Sequence, residues 1–321
     1  MNSYRGFGSV IRLVASLAVA LGCTTVVSAV PSSGDDQNAD SATLTKDGDS
    51  ILLSIHSGRP VFRAVLKLQE QYGYVITYED PPYRTADDLN DVAPMIHKDY
   101  LKFPADQRPT LFVPKSVELN LKFPASLTTS GALGIYAILT QLVQTQNNSG
   151  KGGHFRVEQV GNVFHVIPID VRDRNGNWTG HESLLDTPIS LPNGDRTEQQ
   201  LYQAIAAQVA TRSGVQIHAA VNGGILLGRA PPNPDMNLGA SNELARDVLT
   251  RVIESHTGKR TWALLHTPEM GENVYHLNIM DIPRDTMGKD IVDAAQAAHP
   301  VSNKGKIYSN PVDGSSQTPS H

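Results

Sequence analysis

The sequence predicts an α+β protein made of two tandem split β-α-β modules, each a small sheet with two helices packed on one face. Three observations carry this. NVFHVIPIDVRD at 162–173 and NVYHLNIMDIPRD at 273–285 are near copies, about 110 residues apart. Ile138–Thr145 aligns without gaps to Val248–Ser255, with every apolar position kept apolar. The order strand, helix, strand, strand, helix, hairpin occurs twice.

In the first module, residues 51–173, Ile51, Leu53 and Ile55 alternate as in a strand. Val61, Val65, Leu68 and Tyr72 then fall at helical spacing, Gly73 ends the helix, and YVITY forms the second strand. VELNLKF supplies a third strand before the second helix and its closing hairpin. In the second module, residues 185–285, Thr187–Leu191 is strand-like, Leu201, Ile205 and Val209 mark a helix, and Gly214 ends it. VQIHA follows, then a short strand near Met236–Leu238, the second helix and a hairpin. The first module carries an insertion at 79–116 where the second has only a short connection. Loops beyond about 12–15 residues are uncommon in compact domains and are often functional, so this insertion is the first candidate for a contact surface.

The flanks read differently. Residues 1–29 have the pattern of an export signal: Arg5 and Arg12, an apolar stretch from Leu13 to Val27, and small residues at Val27-Ser28-Ala29 for cleavage. Ala20-Leu21-Gly22-Cys23 also resembles a lipobox, making Cys23 a lipidation candidate and leaving two processing routes open. Cys23 is the single cysteine, so cleavage after Ala29 leaves a chain without thiol chemistry. Residues 30–50 read as a disordered leader, 174–184 as a polar linker, and 286–321 as a short helix and flexible tail. No later segment approaches the roughly 18 apolar residues of a membrane helix. The expected location is periplasmic or secreted, with membrane contact only through a lipid anchor.

The formal charge of −5 is spread along the chain, without a basic run to bind nucleic acid. No GxSxG, HExxH, P-loop or CxxC is present, and no catalytic, metal or cofactor residue is assigned. His165 and His276 occupy matching positions in the repeat, without neighbouring ligands at metal spacing. Strand alternation places both on the partly exposed outer face, away from their own helices. Gly150–Gly153 reads as a turn rather than an anion cradle, and Asp173 and Asp285 as strand terminators in local ion pairs. Trp178 in the linker, with Tyr83 and Tyr100 in the insertion, are the candidate partner contacts, and Trp262 belongs to the core.

GRPVFRAVLKLQEQYGYVITYE, VELNLKF, ALGIYAILTQLV and FRVEQVGNVFHVIP together resemble the short N-terminal (STN-like) domain of bacterial secretins and TonB-dependent receptors. The second module is similar through LYQAIAAQVATRSGVQI, ARDVLTRVIES and NVYHLNIMDI. The resemblance implies a protein-binding module of the bacterial periplasm with no catalytic residues, whose partner is an envelope protein. With no barrel or secretin core following it, the chain is expected to be neither the pore nor the receptor. The rival expectation is a periplasmic hydrolase or small-ligand binder with its site between the modules.

Overall fold

The structure is a computed structural model and describes residues 40–97, 99–222, 236–256 and 258–282, all within one compact unit. The expected export signal with Cys23, most of the expected leader, Asp285 and residues 286–321 lie outside the described residues. The architecture is mixed α+β.

In the first half, β1 (Ser41–Asp47) and β2 (Ser50–Ser57) form an antiparallel hairpin. The expected leader therefore ends before Ser41: Ala42 and Leu44 pack on the core, and Gly48, at φ 59°, opens the two-residue Gly48-Asp49 turn, the Gly-first kind that suits a tight hairpin. Helix α1 (Pro60–Tyr72) begins with proline in its first turn and ends at Gly73, whose left-handed φ of 65° a side chain would resist. Next come β3 (Val75–Glu79), then the insertion with β4 (Leu89–Asp91), the single turn α2 (Ala93–Ile96) and β5 (Phe112–Pro114). Then follow β6 (Val117–Pro124), α3 (Gly131–Asn148), β7 (His154–Val160) and β8 (Val163–Arg172). The linker is partly ordered as β9 (Trp178–Gly180), which pairs with β8.

The second half repeats the order with β10 (Pro188–Leu191), β11 (Asp195–Arg196), α4 (Glu198–Ser213) and β12 (Gln216–Asn222). It continues with β13 (Met236–Asn237), β14 (Ala240–Leu244), α5 (Ala245–Glu254), β15 (Arg260–His266) and β16 (Val274–Asp281). The strand expected at Met236–Leu238 is only the two-residue β13. The counterpart of β6 is β14, which pairs with β10 as β6 pairs with β2.

Two features differ from the expectation of a separate small sheet in each module. Within each half the helices lie between two sheets. In the first half, Leu53, Leu121 and Phe123 of β2 and β6 meet Leu68, Ile138 and Leu142 of the helices, which meet Ile76, Tyr78, Phe164 and Val166 beyond. In the second, Ile189, Leu191 and Ala240 close over Leu201, Ile205, Val248 and Leu249, with Trp262, Leu264, Tyr275 and Leu277 on the far side. The larger sheets of the two halves are moreover one sheet, in the order β12-β16-β15-β3-β8-β7 with β9 beside β8.

The joint is parallel and short, Ala263 opposite Tyr78 and Leu264 opposite Glu79. It is extended by Asp80 N–H donating to the Leu264 carbonyl at 2.8 Å and by the Thr261 hydroxyl donating to the Ile76 carbonyl at 2.6 Å. Pairing satisfies backbone groups that two separate sheets would leave at their edges. It also places the helices of the two halves on opposite faces. Ala263 packs in the first core, whereas its neighbours Trp262 and Leu264 pack in the second.

Candidate functional site

The insertion stands on the β4–β5 ladder, Leu89 opposite Pro114 and Asp91 opposite Phe112. The Asp91 carboxylate ties its neck, accepting the N–H groups of Ala93 at 3.0 Å and Leu111 at 2.9 Å. Beyond the neck the segment turns through α2 and two 3-10 turns, Tyr100–Lys102 and Ala105–Gln107. It buries few of its own side chains. Met95 is 69% exposed, Ile96 58%, Leu101 81%, Phe103 42% and Phe112 40%. Single exposed apolar residues are ordinary, but five within eighteen positions of one excursion make a surface suited to contact. Tyr100 is half-buried, with the Arg108 guanidinium 5.4 Å from its ring centre.

The root is polar and closed. Asp80 is fully buried and accepts from Arg59 Nε at 2.6 Å, the Tyr78 hydroxyl at 2.7 Å, the Tyr83 hydroxyl at 3.2 Å and the His266 N–H at 3.0 Å. Four donors, one from the second half, thus meet on one carboxylate, which offsets the cost of burying it. His266 Nδ1 accepts from the Tyr83 N–H at 3.2 Å, so the ring proton sits on Nε2 and donates to the Glu272 carbonyl at 2.8 Å. Burial, then the charge of Asp80, pushes the Tyr78 and Tyr83 phenols well above their ordinary range. Tyr83 is only 6% exposed, which corrects its expectation as a partner contact: it anchors the insertion from within.

Below the root, Thr85 donates to Asp88 at 2.7 Å, and the Gly152 N–H donates to the same carboxylate at 3.2 Å. The glycine turn does meet an anion, the protein's own. Gly153 lets Pro81 come close, since a Cβ there would lie 2.6 Å from its ring. A cavity of about 220 Å³ remains between insertion and body, lined by Tyr78, Tyr83, Asp88, Lys115, Gln146 and Gly152 among others.

Trp178 is 38% exposed. Its ring stacks on His154 at 3.8 Å, with the Arg172 guanidinium 5.1 Å away. Among the described residues Asp173 makes no ion pair; it accepts the N–H groups of Asn175 and Asn177, forming a turn. Among the described residues no group of three or more His, Cys, Asp and Glu is placed to hold a metal, and no helix is long and apolar enough to cross a membrane.

A second polar cluster lies where the halves meet. Glu79 of β3 is fully buried, accepts from the Ser183 hydroxyl and from the Leu184 N–H at 2.7 Å, and lies 3.9 Å from Arg246 of α5. Arg246 also reaches Asp186 at 2.6 Å and Ser183 at 2.7 Å. Burial outweighs these partners and pushes the Glu79 carboxyl up to about 7. Beside it His165 is 1% exposed, binds Thr77 through Nδ1 at 2.7 Å and stacks on Trp262. Burial, then the positive charge of Arg246, lowers the His165 ring to about 4. His165 does face away from its own helices, as expected, but the second half covers that face. Its counterpart His276 stays half-buried beside His218, the rings 5.2 Å apart.

These two shifts act oppositely. Below about pH 4.5 Glu79 is protonated in both states. Between there and pH 7 only the folded chain holds the proton, so its contribution to stability falls as pH rises. His165, neutral in the fold, contributes stability that is present above pH 6.5 and lost as pH falls towards 4. Comparing wild type with Glu79→Gln isolates the first term. The variant gains on wild type by about 3 kcal/mol between pH 4.5 and 7, read from urea midpoints at several pH values.

Comparison with protein-family models, with curated proteins and with solved structures finds no match to this chain.

Proposed function

We propose that this protein is an exported, non-catalytic docking protein of the bacterial cell envelope, and that the outer part of the insertion, Val92 to Phe112, is its contact surface. The observation that carries the reading is the exposure of Met95, Ile96, Leu101, Phe103 and Phe112 on a segment rooted through Asp80 in both halves of the fold. Such a surface contributes binding free energy only when a partner covers it, and its rooted base lowers the ordering cost. The STN-like residue pattern supports an envelope protein as the partner, with the chain accessory to a secretin or a TonB-dependent system. Trp178 is a further exposed aromatic for that contact, and Cys23 is the alternative lipid attachment that would hold the protein at a membrane.

The rival, a hydrolase or ligand site between the halves, would draw on Ser183, Glu79 and Arg246. At 5%, 0% and 3% exposure these residues leave no approach for a substrate, so the docking reading has the better support.

The test is the double variant Leu101→Ser, Phe103→Ser. Leu101 is 81% exposed and Phe103 42%, so the loss of stability should stay below about 2 kcal/mol and leave the chain folded, which a urea midpoint checks. Cross-linking in the native envelope should lose the adduct that wild type forms through residues 92–112. An adduct that survives unchanged, or a wild type that forms none from this segment, overturns the assignment.

A further inference from the structure

The joint between the halves has a geometry that does not end with the chain. Along the large sheet, β12 and β16 run one way, β15, β3 and β8 the other, and β7 returns to the first. Each half contributes two parallel strands and one antiparallel strand in the same left-to-right order: β12-β16-β15, then β3-β8-β7. The directions are reversed, and the covering helices lie on opposite faces. One operation relates the halves: a half-turn about an axis lying in the sheet across the strands, with a shift of three strands, about 14 Å. Applied twice, it becomes a plain shift of six strands, apart from the sheet twist. A second molecule displaced in that way brings its β12 beside β7 of the first, as β3 lies beside β15 within one chain.

We infer that copies of this chain add head to tail through these two edges, β7 of one pairing with β12 of the next in the register of the internal joint. The backbone groups have the parity this requires. On β7 the N–H and C=O of Phe155 point away from β8, where the Asn147 side chain binds both, at 2.8 and 2.9 Å. Val157 therefore points outward too. On β12 the Gln216 N–H turns inward to Asn273 at 2.9 Å, so Ile217 and Ala219 point outward, just as their counterparts Ile76 and Tyr78 point towards β15. Matching the hairpins through Val157–Val166 and Leu264–Leu277 carries the internal register across. Arg156 then lies opposite Ala219, and Val157 opposite Ala220.

The internal joint needs only two residue pairs, and Asn147 guards only Phe155, leaving that length of β7 open. The small side chains of Ala219 and Ala220 place no bulk against the approach. Among the described residues no strand pairs with the outer side of β7 or β12. Because the two edges differ and the repeat is a shift along the sheet, a pair of copies leaves one edge of each kind open and growth continues beyond two copies. This inference rests on the sheet alone and holds whether or not the insertion docks a partner.

Sedimentation of the purified chain tests it, using Val157→Pro and Ala219→Pro, which remove outward N–H groups and leave the pairing inside the sheet intact. Wild type is expected to exceed twice the monomer mass as concentration rises. Each variant alone should stay monomeric, and a 1:1 mixture should reach twice the monomer mass and stop, because one open edge of each kind remains. Wild type monomeric at every concentration, either variant dimerising alone, or no association in the mixture overturns the inference. Should a proline unfold the chain, Val157→Cys and Ala220→Cys, each in a Cys23→Ser background, replace it. Oxidation of the mixture should give a disulfide between unlike variants, and disulfides only between like variants would contradict it.

Discussion

Replacing Trp262 by alanine lowers the stability of the whole folded unit by about 3–5 kcal/mol, the range for deleting a buried aromatic side chain. Trp262 is 1% exposed and packs among α4, α5 and β16 in the second core. It also stacks on His165 of the first half, ring centres 6.1 Å apart. The hole therefore opens at the joint, where neither half can collapse into it without disturbing the other. Against a typical net stability of about 5–15 kcal/mol this is a severe loss. The check is a urea titration followed by circular dichroism, which should show one transition at a lower midpoint. A thermal scan should show Tm lowered by roughly 6–20 °C.

Arg246→Ala is expected to cost a similar amount, about 3–5 kcal/mol, through charge instead of volume. Arg246 is 3% exposed and answers Glu79, Asp186 and the Ser183 hydroxyl. Its removal leaves Glu79 buried without a cation. Because that carboxyl is protonated in the fold up to about pH 7, the loss should be smaller at pH 5 than at pH 8. Combining Arg246→Met with Glu79→Gln removes both charges and should recover much of the stability, as replacement of whole buried ion pairs commonly does. Urea midpoints at the two pH values read both outcomes.

Local pattern made most elements legible. The helical spacing of Val61, Val65 and Leu68, the stop at Gly73 and the repeated hairpins all depend on neighbours in the chain, and they stand where the pattern places them. The shared sheet depends on edges far apart in sequence, which no local period reports. One signal was nevertheless present. VFHVIPIDV is almost continuously apolar, the mark of a strand covered on both faces, whereas VYHLNIMD alternates. That difference separates buried His165 from half-buried His276. The hairpin turn at Asp47-Gly48-Asp49 was also legible, but lay inside a polar stretch that composition alone assigns to a leader.

The site was legible in outline only. Length marked the insertion, and five of its apolar residues are exposed, Met95, Ile96, Leu101, Phe103 and Phe112. Asp80, which roots it, stands in Glu79-Asp80-Pro81-Pro82, a stretch that reads as an ordinary turn. Of its partners, Tyr83 is three residues further along, but Arg59 and His266 come from two other places in the chain. Ser183 and Asp186 have the Ser-x-x-acid spacing of a helix start, and Ser183 does accept the Leu185 N–H. Its further contacts with Glu79 and Arg246 follow only from the joining of the halves.

The root of the insertion, the buried cluster and the open edges all depend on the two halves sharing one sheet. Hydrogen exchange of the intact chain in increasing urea tests this directly. Amides of β8 in the first half and β16 in the second should lose protection together, through one opening of the same free energy. Exchange of β16 through a cheaper opening that leaves β8 protected would show two independently folding modules and contradict the shared sheet.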